Sequence, residues 1–219
     1  IRIQAKANDD DDRLYELNET NSVGNSQVTN DSESGPILFN ARRYMGNASV
    51  RSLTGYGFKP DLIWLKNRDS GGDSFYLMDV LRGVGSSGGL INCNNTGAEW
   101  TSANYFLSFD SDGWTSGSTN SFQRADNSYI AWGWKAGTAF TPVGANYTNL
   151  SGSKNVAGGF SIVKFDDNSS ASGSTFTHGL SSTPEFIITK SLANAYNWDV
   201  YTPGMTSSSY RLKLNSNAS

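Results

Sequence analysis

Side chains with strong catalytic potential are scarce in this sequence. Among its 219 residues there is one histidine, His178, and one cysteine, Cys93. A hydrolase with a Ser–His or Cys–His pair would need His178 as its base, but no Cys, Asp or Glu lies close to it in sequence. We therefore interpret His178 as a turn residue beside Gly179. One cysteine also excludes a disulfide framework, and one histidine excludes a multi-histidine metal site within a single chain.

Two acidic stretches contain the residues of a cation site but not its spacing. Residues 9–12 are four consecutive aspartates, whereas calcium loops place their carboxylates at alternate positions, so a charged linker is favoured there over a calcium site. Asp110-Ser111-Asp112-Gly113 resembles half of a calcium loop, without the third ligand and the later Glu. We predict a hairpin turn at Asp112-Gly113 instead. The sequence thus predicts no metal site and no cofactor.

Three aromatic residues have polar neighbours in the sequence and are the candidate ligand-binding residues. Trp100, Tyr105 and Trp114 lie among Ser, Thr, Asn, Glu and Gly. An aromatic ring in a polar loop can stack on a sugar ring while nearby amides and carboxylates bind the hydroxyls. The alternative is that these rings cover the edge of the fold or pack on a neighbouring subunit.

A second aromatic group has the spacing of a buried strand. Trp132 and Trp134 are two residues apart and share one face of a strand with Ile130. Such a stripe is found both in sugar platforms and in sandwich cores, and we favour core packing here. Trp64 lies within an apolar run and is also assigned to the core.

The composition favours an all-β domain and excludes several classes of protein. Charged residues make up 17% of the chain, and the net charge of −3 argues against a nucleic-acid binder, which presents a basic face. No apolar run approaches the roughly 18 residues of a membrane helix, so we expect no membrane insertion. Aromatic, β-branched and turn-forming residues are abundant, and strong helix formers are sparse.

The chain divides into an arm and a domain. Residues 1–36 are dominated by Asn, Asp, Ser and Gly after a short alternating segment at residues 1–7, and we predict an extended arm or linker. Residues 37–219 form the predicted β-sandwich domain. Runs of apolar residues separated by turn residues predict ten strands there: Ala41–Tyr44, Val50–Leu53, Leu62–Lys66, Phe75–Asp79, Tyr105–Phe109, Ser128–Lys135, Gly159–Phe165, Phe186–Lys190, Asp199–Tyr201 and Tyr210–Leu214.

An internal repeat relates two of these strands. Residues 54–66 align without a gap on residues 178–190, an offset of 124 residues. Each copy contains Gly, an apolar residue, a turn, Pro, an acid and an apolar run that ends in Lys. Proline fixes φ and ends the turn, and we expect the acid, Asp61 or Glu185, to face solvent. The repeat predicts two equivalent strands of one sandwich or two related units side by side.

Six motifs follow one another along the chain: Gly46–Arg68, Asp79–Gly83, Phe109–Trp114, Tyr129–Gly137, His178–Ile188 and Leu212–Asn215. In this order they resemble a family of tailed-bacteriophage virion proteins described as structural or tail-fibre-like. Gly133 stands where that family often has Cys. The resemblance covers residues 40–215 and implies an antiparallel β-sandwich of the jelly-roll or concanavalin-like lectin type. The pattern of the family continues beyond the residues that match Leu214-Asn215, so we expect the domain to continue past the end of this sequence.

The resemblance implies a non-enzymatic protein of the virion surface, a tail fibre or a capsid decoration, made in the host cytoplasm. We expect it to assemble through its arm with copies of itself and other virion proteins, and to contact host glycans. The alternative is a carbohydrate-binding module without a structural role. A glycoside hydrolase, with Glu99 paired to Asp110 or Asp112, has no motif support.

Overall fold

A computed structural model describes residues 38–167, 174–207 and 210–216, and the regular secondary structure of this part of the chain is almost entirely antiparallel β-strands. The predicted arm, residues 1–36, lies outside it. One α-helical turn, α1 (Asn120–Gln123), and one 3-10 turn (Gly85–Ser87) interrupt the strands. The strands are β1 (Phe39–Met45), β2 (Arg51–Thr54), β3 (Leu62–Asn67), β4 (Phe75–Asp79), β5 (Gly89–Asn92), β6 (Trp100–Thr101), β7 (Phe106–Asp110), β8 (Gly113–Ser116), β9 (Ser128–Trp134), β10 (Thr138–Phe140), β11 (Tyr147–Asn155), β12 (Phe160–Asp167), β13 (Ile187–Thr189), β14 (Asp199–Tyr201) and β15 (Leu212–Lys213).

A six-stranded sheet in the order β1-β9-β3-β4-β5-β6 is the centre of the fold. Side chains alternate between its two faces because successive strand residues point in opposite directions. In β3, Ile63 and Leu65 are completely buried on one face, whereas Leu62 and Trp64 are half-buried on the other. Strand β9 lies between β1 and β3 although it comes much later in the chain.

The first face of this sheet packs against a three-stranded sheet in the order β2-β8-β7. Together they form the main core, in which aromatic rings contribute most of the buried apolar area. The buried core residues are Tyr44, Leu53, Tyr56, Phe58, Ile63, Leu65, Tyr76, Met78, Leu90, Phe106, Trp114, Phe122, Tyr129 and Ala131.

The second face is partly covered by two smaller sheets, β10-β11-β12 and β13-β14-β15. The ring of Trp134 stacks on Phe160 of β12, with 6.3 Å between centroids. Trp64 packs with Trp198 and Ile188, which belong to the C-terminal sheet and its loops. The domain is therefore a layered sandwich around one central sheet.

The prediction of an all-β antiparallel sandwich is confirmed, and the jelly-roll or lectin type stays a prediction. Each of the ten predicted strands overlaps an observed one. The prediction missed β5, β6, β8, β10 and β11, which are short or rich in Gly, Ser and Thr. Trp132 and Trp134 share a face as expected, but they are half-buried on the second face, and Tyr129 and Ala131 of the same strand enter the main core.

Candidate functional site

Trp114, one of the three predicted ligand-binding residues, has no exposed surface. It lies on β8, and its ring stacks on Phe106 at a centroid distance of 5.2 Å. Its Nε1 donates to the Tyr56 hydroxyl at 3.3 Å. The interpretation of Trp114 as a loop aromatic was therefore wrong, because Trp114 lies on a strand and its side chain enters the main core. In this arrangement Trp114 offers no ring face to a sugar.

Trp100 and Tyr105, the other two candidates, are half-buried and adjacent. Their ring centroids are 4.8 Å apart at an interplanar angle of 88°, and both rings pack against the main core. The perpendicular rings do not form a flat platform, so a ligand would meet the face of one ring only. A ligand-binding role for this pair stays a prediction.

A hairpin turn forms between β7 and β8 at Ser111-Asp112, one residue before the predicted pair, because Gly113 is already the first residue of β8 and pairs with Asp110. The two aspartates of this hairpin have structural partners. The Asp112 carboxylate accepts hydrogen bonds from the backbone N–H groups of Gly55, at 2.9 Å, and Gly57, at 2.6 Å. It thereby fixes the first copy of the sequence repeat against the hairpin. Asp110 accepts from the hydroxyls of Ser108 and Thr115 at 2.6 and 2.7 Å.

Asp110 should contribute to the loss of stability in acid. Partial burial tends to raise its pKa, but the hydroxyl donors outweigh burial and hold the pKa below its ordinary value. A carboxyl with a depressed native pKa stabilises the fold above its unfolded pKa of about 3.9, and this contribution is lost as pH falls through the native pKa. We expect Asp110→Asn to lower the urea midpoint at pH 6 and to differ less from the wild type at pH 3, where the stabilisation has begun to be lost. An equal difference at both pH values would contradict this.

Asp61, the acid of the first repeat copy, is buried rather than exposed, so the expectation that it faces solvent was wrong. Its carboxylate accepts from the backbone N–H groups of Ala136, at 3.0 Å, and Gly137, at 2.9 Å, just after β9. Burial raises its pKa in spite of these bonds. Asp61 therefore anchors the end of β9 beside the start of β3.

A buried ion-pair network follows β4. Arg82 donates from Nε to Asp79 Oδ2 at 2.5 Å and from Nη2 to the Leu77 carbonyl at 2.9 Å. Its Nη1 lies 3.4 Å from Glu99 Oε1. Asp79 also accepts from the backbone N–H groups of Leu81 and Arg82. The Asp-x-x-Arg-Gly motif thus closes the turn between β4 and β5, and Glu99 and Asp110 take part in separate structural clusters.

Cys93 is buried next to this network. With Ile91 and Trp198 it forms a second, smaller apolar cluster. Burial raises the pKa of its thiol to about 12, although the charge of Arg82 opposes this shift. Because the thiolate is the reactive species, we expect native protein at pH 8 to resist a thiol reagent such as dithionitrobenzoate. Protein unfolded in urea should release one equivalent of thionitrobenzoate. Rapid reaction of the native protein would contradict the buried placement.

His178 has a local structural role. Its Nδ1 accepts a hydrogen bond from the backbone N–H of Leu180 at 3.2 Å. In the part of the chain that the structure describes, no group of three or more His, Cys, Asp or Glu residues is arranged to hold a metal ion. Within the same residues, no helix is long and apolar enough to cross a membrane.

The sequence repeat corresponds to a structural repeat. Gly55 and Gly179 occupy the same repeat position, with φ angles of +95° and +77° in the region that favours glycine. The final lysines of the two copies make the same type of contact, because each Nζ donates to a carbonyl four residues ahead: Lys66 to Ser70 at 3.0 Å, and Lys190 to Asn194 at 3.0 Å.

A concave pocket of about 330 Å³ lies where β9 ends and β10 and β11 pair. Sequence reasoning missed it, because its walls come from two separate segments. Lys135 and Lys154 give the pocket a positive charge, and Thr138 and Asn155 add polar groups. The Lys154 ammonium also lies 4.8 Å from the centroid of the Phe140 ring. The two lysines give the pocket the charge to attract an anionic ligand.

The fold and these clusters define an all-β sandwich domain with a repeated hairpin, in which Asp61, Asp79, Arg82 and Asp112 hold strands and turns together. The chain belongs to the DUF7483 family, described as a domain of unknown function, whose model matches residues 35–219. No curated protein and no solved structure matched the chain.

Proposed function

We propose that the chain is a non-enzymatic structural protein of a bacteriophage virion surface, a tail fibre or a capsid decoration. The order of its motifs resembles that of tailed-phage virion proteins, and the candidate catalytic groups of His178, Glu99, Asp110 and Asp112 take part in structural hydrogen bonds or ion pairs. Its partners would be further copies of itself and other virion proteins. It would be made in the host cytoplasm and displayed on the released particle.

The observation that carries an assembling role is the exposed apolar surface of the C-terminal strands. Phe186 and Leu212 are 63% and 60% exposed, and they flank Ile188 and Val200 on the same face of the small sheet. Large exposed apolar side chains next to open strand edges favour association with another polypeptide.

Labelling of particles tests the proposed location. Antibodies raised against the purified chain should bind intact virions of the phage that encodes it, and electron microscopy should place the label on the tail or the capsid. Peptides of the chain should also occur in the protein content of purified particles. A chain absent from purified particles and from their surface would refute the proposal.

The arm carries the proposed contact between subunits. Deletion of residues 1–36 should lower the oligomeric state measured by light scattering and reduce incorporation into particles. Since β1 begins at Phe39, the deletion leaves the strands of the central sheet intact. An unchanged oligomer together with unchanged incorporation would exclude the arm as the assembling element.

Contact with a host glycan is a second candidate, and the positively charged pocket favours it. Lys135 and Lys154 would pair with carboxylate or phosphate groups of an anionic surface polysaccharide. A glycan array should then show binding that Lys154→Ala abolishes and that Lys164→Ala, on β12, leaves unchanged. An array without hits would exclude this role and leave the structural one.

A further inference from the structure

The positively charged pocket lies between two segments of the chain. One is residues 135–138, which lead from β9 into β10, and the other is residues 154–156, at the end of β11 and just after it. These segments are the walls of the pocket, and they pair with each other at Thr138 and Lys154. The shape of the pocket therefore depends on what holds the two walls in place.

Asp61 binds one wall and the residue that precedes the other. Its Oδ2 accepts hydrogen bonds from the backbone N–H groups of Ala136, at 3.0 Å, and Gly137, at 2.9 Å. Its Oδ1 accepts from the Ser153 hydroxyl at 3.5 Å, one residue before Lys154. Asp61 is only 8% exposed and does not line the pocket. Its carboxylate thus joins both walls to the start of β3 and is not itself presented to a ligand.

The backbone of Asp61 is held by the central sheet. Its N–H group donates to the carbonyl of Trp134, on β9, at 2.8 Å, and its own carbonyl accepts from the N–H group of Val80, directly after β4, at 2.9 Å. A side chain that is mounted on a fixed backbone holds its partners more precisely than one on a free loop. Asp61 therefore transmits the position of the central sheet to the pocket.

The two lysines lie on supports that belong to this arrangement. The side chain of Lys135 lies along Gly137, since a Cβ atom at Gly137 would be 3.6 Å from Lys135 Cε. The stem of Lys154 lies against Gly179, and its ammonium is 4.8 Å from the centroid of the Phe140 ring. Packing of the apolar stems restricts the two side chains while the ammonium groups stay polar and accessible. The position of each charge therefore follows from the position of its wall.

We infer that Asp61 is a positioning residue for anion binding in this pocket, an inference that rests on the proposed contact with a host glycan. By joining both walls, its carboxylate sets the spacing of Lys135 and Lys154 before a ligand arrives. Preorganised groups lose less conformational freedom on binding and therefore bind more tightly. Removal of the Asp61 contacts should weaken anion binding although every group that touches the ligand is still present.

Binding of small anions to variants of the full chain tests the inference by isothermal titration calorimetry. The probes are trigalacturonate, which presents carboxylates, and inorganic phosphate, and uncharged maltotriose is the control ligand. Asp61→Ala should raise the Kd by about tenfold, the effect expected when one or two side chains must become ordered on binding.

Asp61→Asn should rescue binding, with a Kd within about twofold of the wild type, because its amide oxygen can accept both N–H bonds and its NH2 group can donate to Ser153. Burial raises the pKa of the Asp61 carboxyl, so a neutral group of the same shape should be tolerated there. If Asp61→Ala does not fold, Asp61→Glu takes its place with the same expected weakening, since it keeps the charge but moves the carboxylate by one methylene.

Asp112→Ala is the matched control, because it also removes a carboxylate that accepts two backbone N–H groups. Those groups belong to Gly55 and Gly57, and none of the three residues lines the pocket. At a temperature at which circular dichroism shows each variant to be folded, Asp112→Ala should bind the probes as tightly as the wild type does.

Three results would overturn the inference. The first is wild-type affinity of Asp61→Ala, and the second is an equal loss in Asp61→Ala and Asp112→Ala, which would assign the effect to general stability. Either of these leaves the proposed glycan contact standing if Lys154→Ala still abolishes binding. The third is a wild-type protein that binds neither probe, and it would remove the glycan contact together with this inference while the proposed virion role stays.

Discussion

Arg82→Ala should lower the free energy of unfolding by about 3–5 kcal/mol, the range for removing one partner of a buried ion pair. The Arg82 side chain is 4% exposed and bonds Asp79 and a backbone carbonyl. Its removal leaves the Asp79 carboxylate buried without a countercharge, next to the turn that joins β4 to β5. Urea unfolding followed by tryptophan fluorescence measures the change.

Arg211→Ala is the matched control, because it removes an Arg–Asp pair at the surface. Arg211 Nε lies 3.3 Å from Asp199 Oδ1, and both side chains are substantially exposed. We expect a loss of about 0–1 kcal/mol there, since solvent screens exposed pairs. Equal effects of the two substitutions would show that the Arg82 network does not stabilise the fold as a buried pair.

Trp114→Ala should destabilise the domain by about 3–5 kcal/mol, the range for truncating a large buried aromatic. The ring contacts Phe106, Tyr44 and Phe122, and its Nε1 bonds Tyr56. The cavity would lie between the central sheet and β8, where Trp114 joins the two layers. Thermal and urea unfolding should both show the loss.

The stability of the Trp100→Ala protein is the comparison for that of the Trp114→Ala protein. Trp100 is half-buried at the edge of the core, so its truncation should cost clearly less stability than truncation of Trp114. If Trp100 binds a glycan, the same variant should lose binding while it stays folded. A Trp114→Ala protein with wild-type stability would refute the placement of this ring in the core.

The pattern of apolar residues within single strands explains how much of the fold could be predicted. Alternating or continuous apolar runs between turn residues located β3, β4, β9 and β14 because a strand records its two faces in its own sequence. The same local signal is weak in β8 and β11, which are rich in Thr, Ser, Gly and Asn, and these strands were missed. Their pairing depends on neighbours distant in sequence.

Local sequence also misplaced one acid, Asp61, and one tryptophan, Trp114, whereas Glu185 is exposed as expected. Asp61 looked like a solvent-facing residue at a strand start, but its partners, Ala136 and Gly137, are about 75 residues away in the chain. Trp114 looked like a loop residue because its sequence neighbours are polar. In both cases burial is decided by strands that cross over the residue, which a local pattern does not contain.

By itself, the sequence determined the all-β class, most strand positions, the hairpin turn between β7 and β8 and the duplicated motif. These follow from backbone propensity and from the alternation of side chains along single strands. Only the tertiary structure decided that β9 enters between β1 and β3 and that Trp114 belongs to the core. Pairing across a sheet joins distant segments through backbone groups that every residue shares, so the side-chain pattern of one segment does not specify its partner.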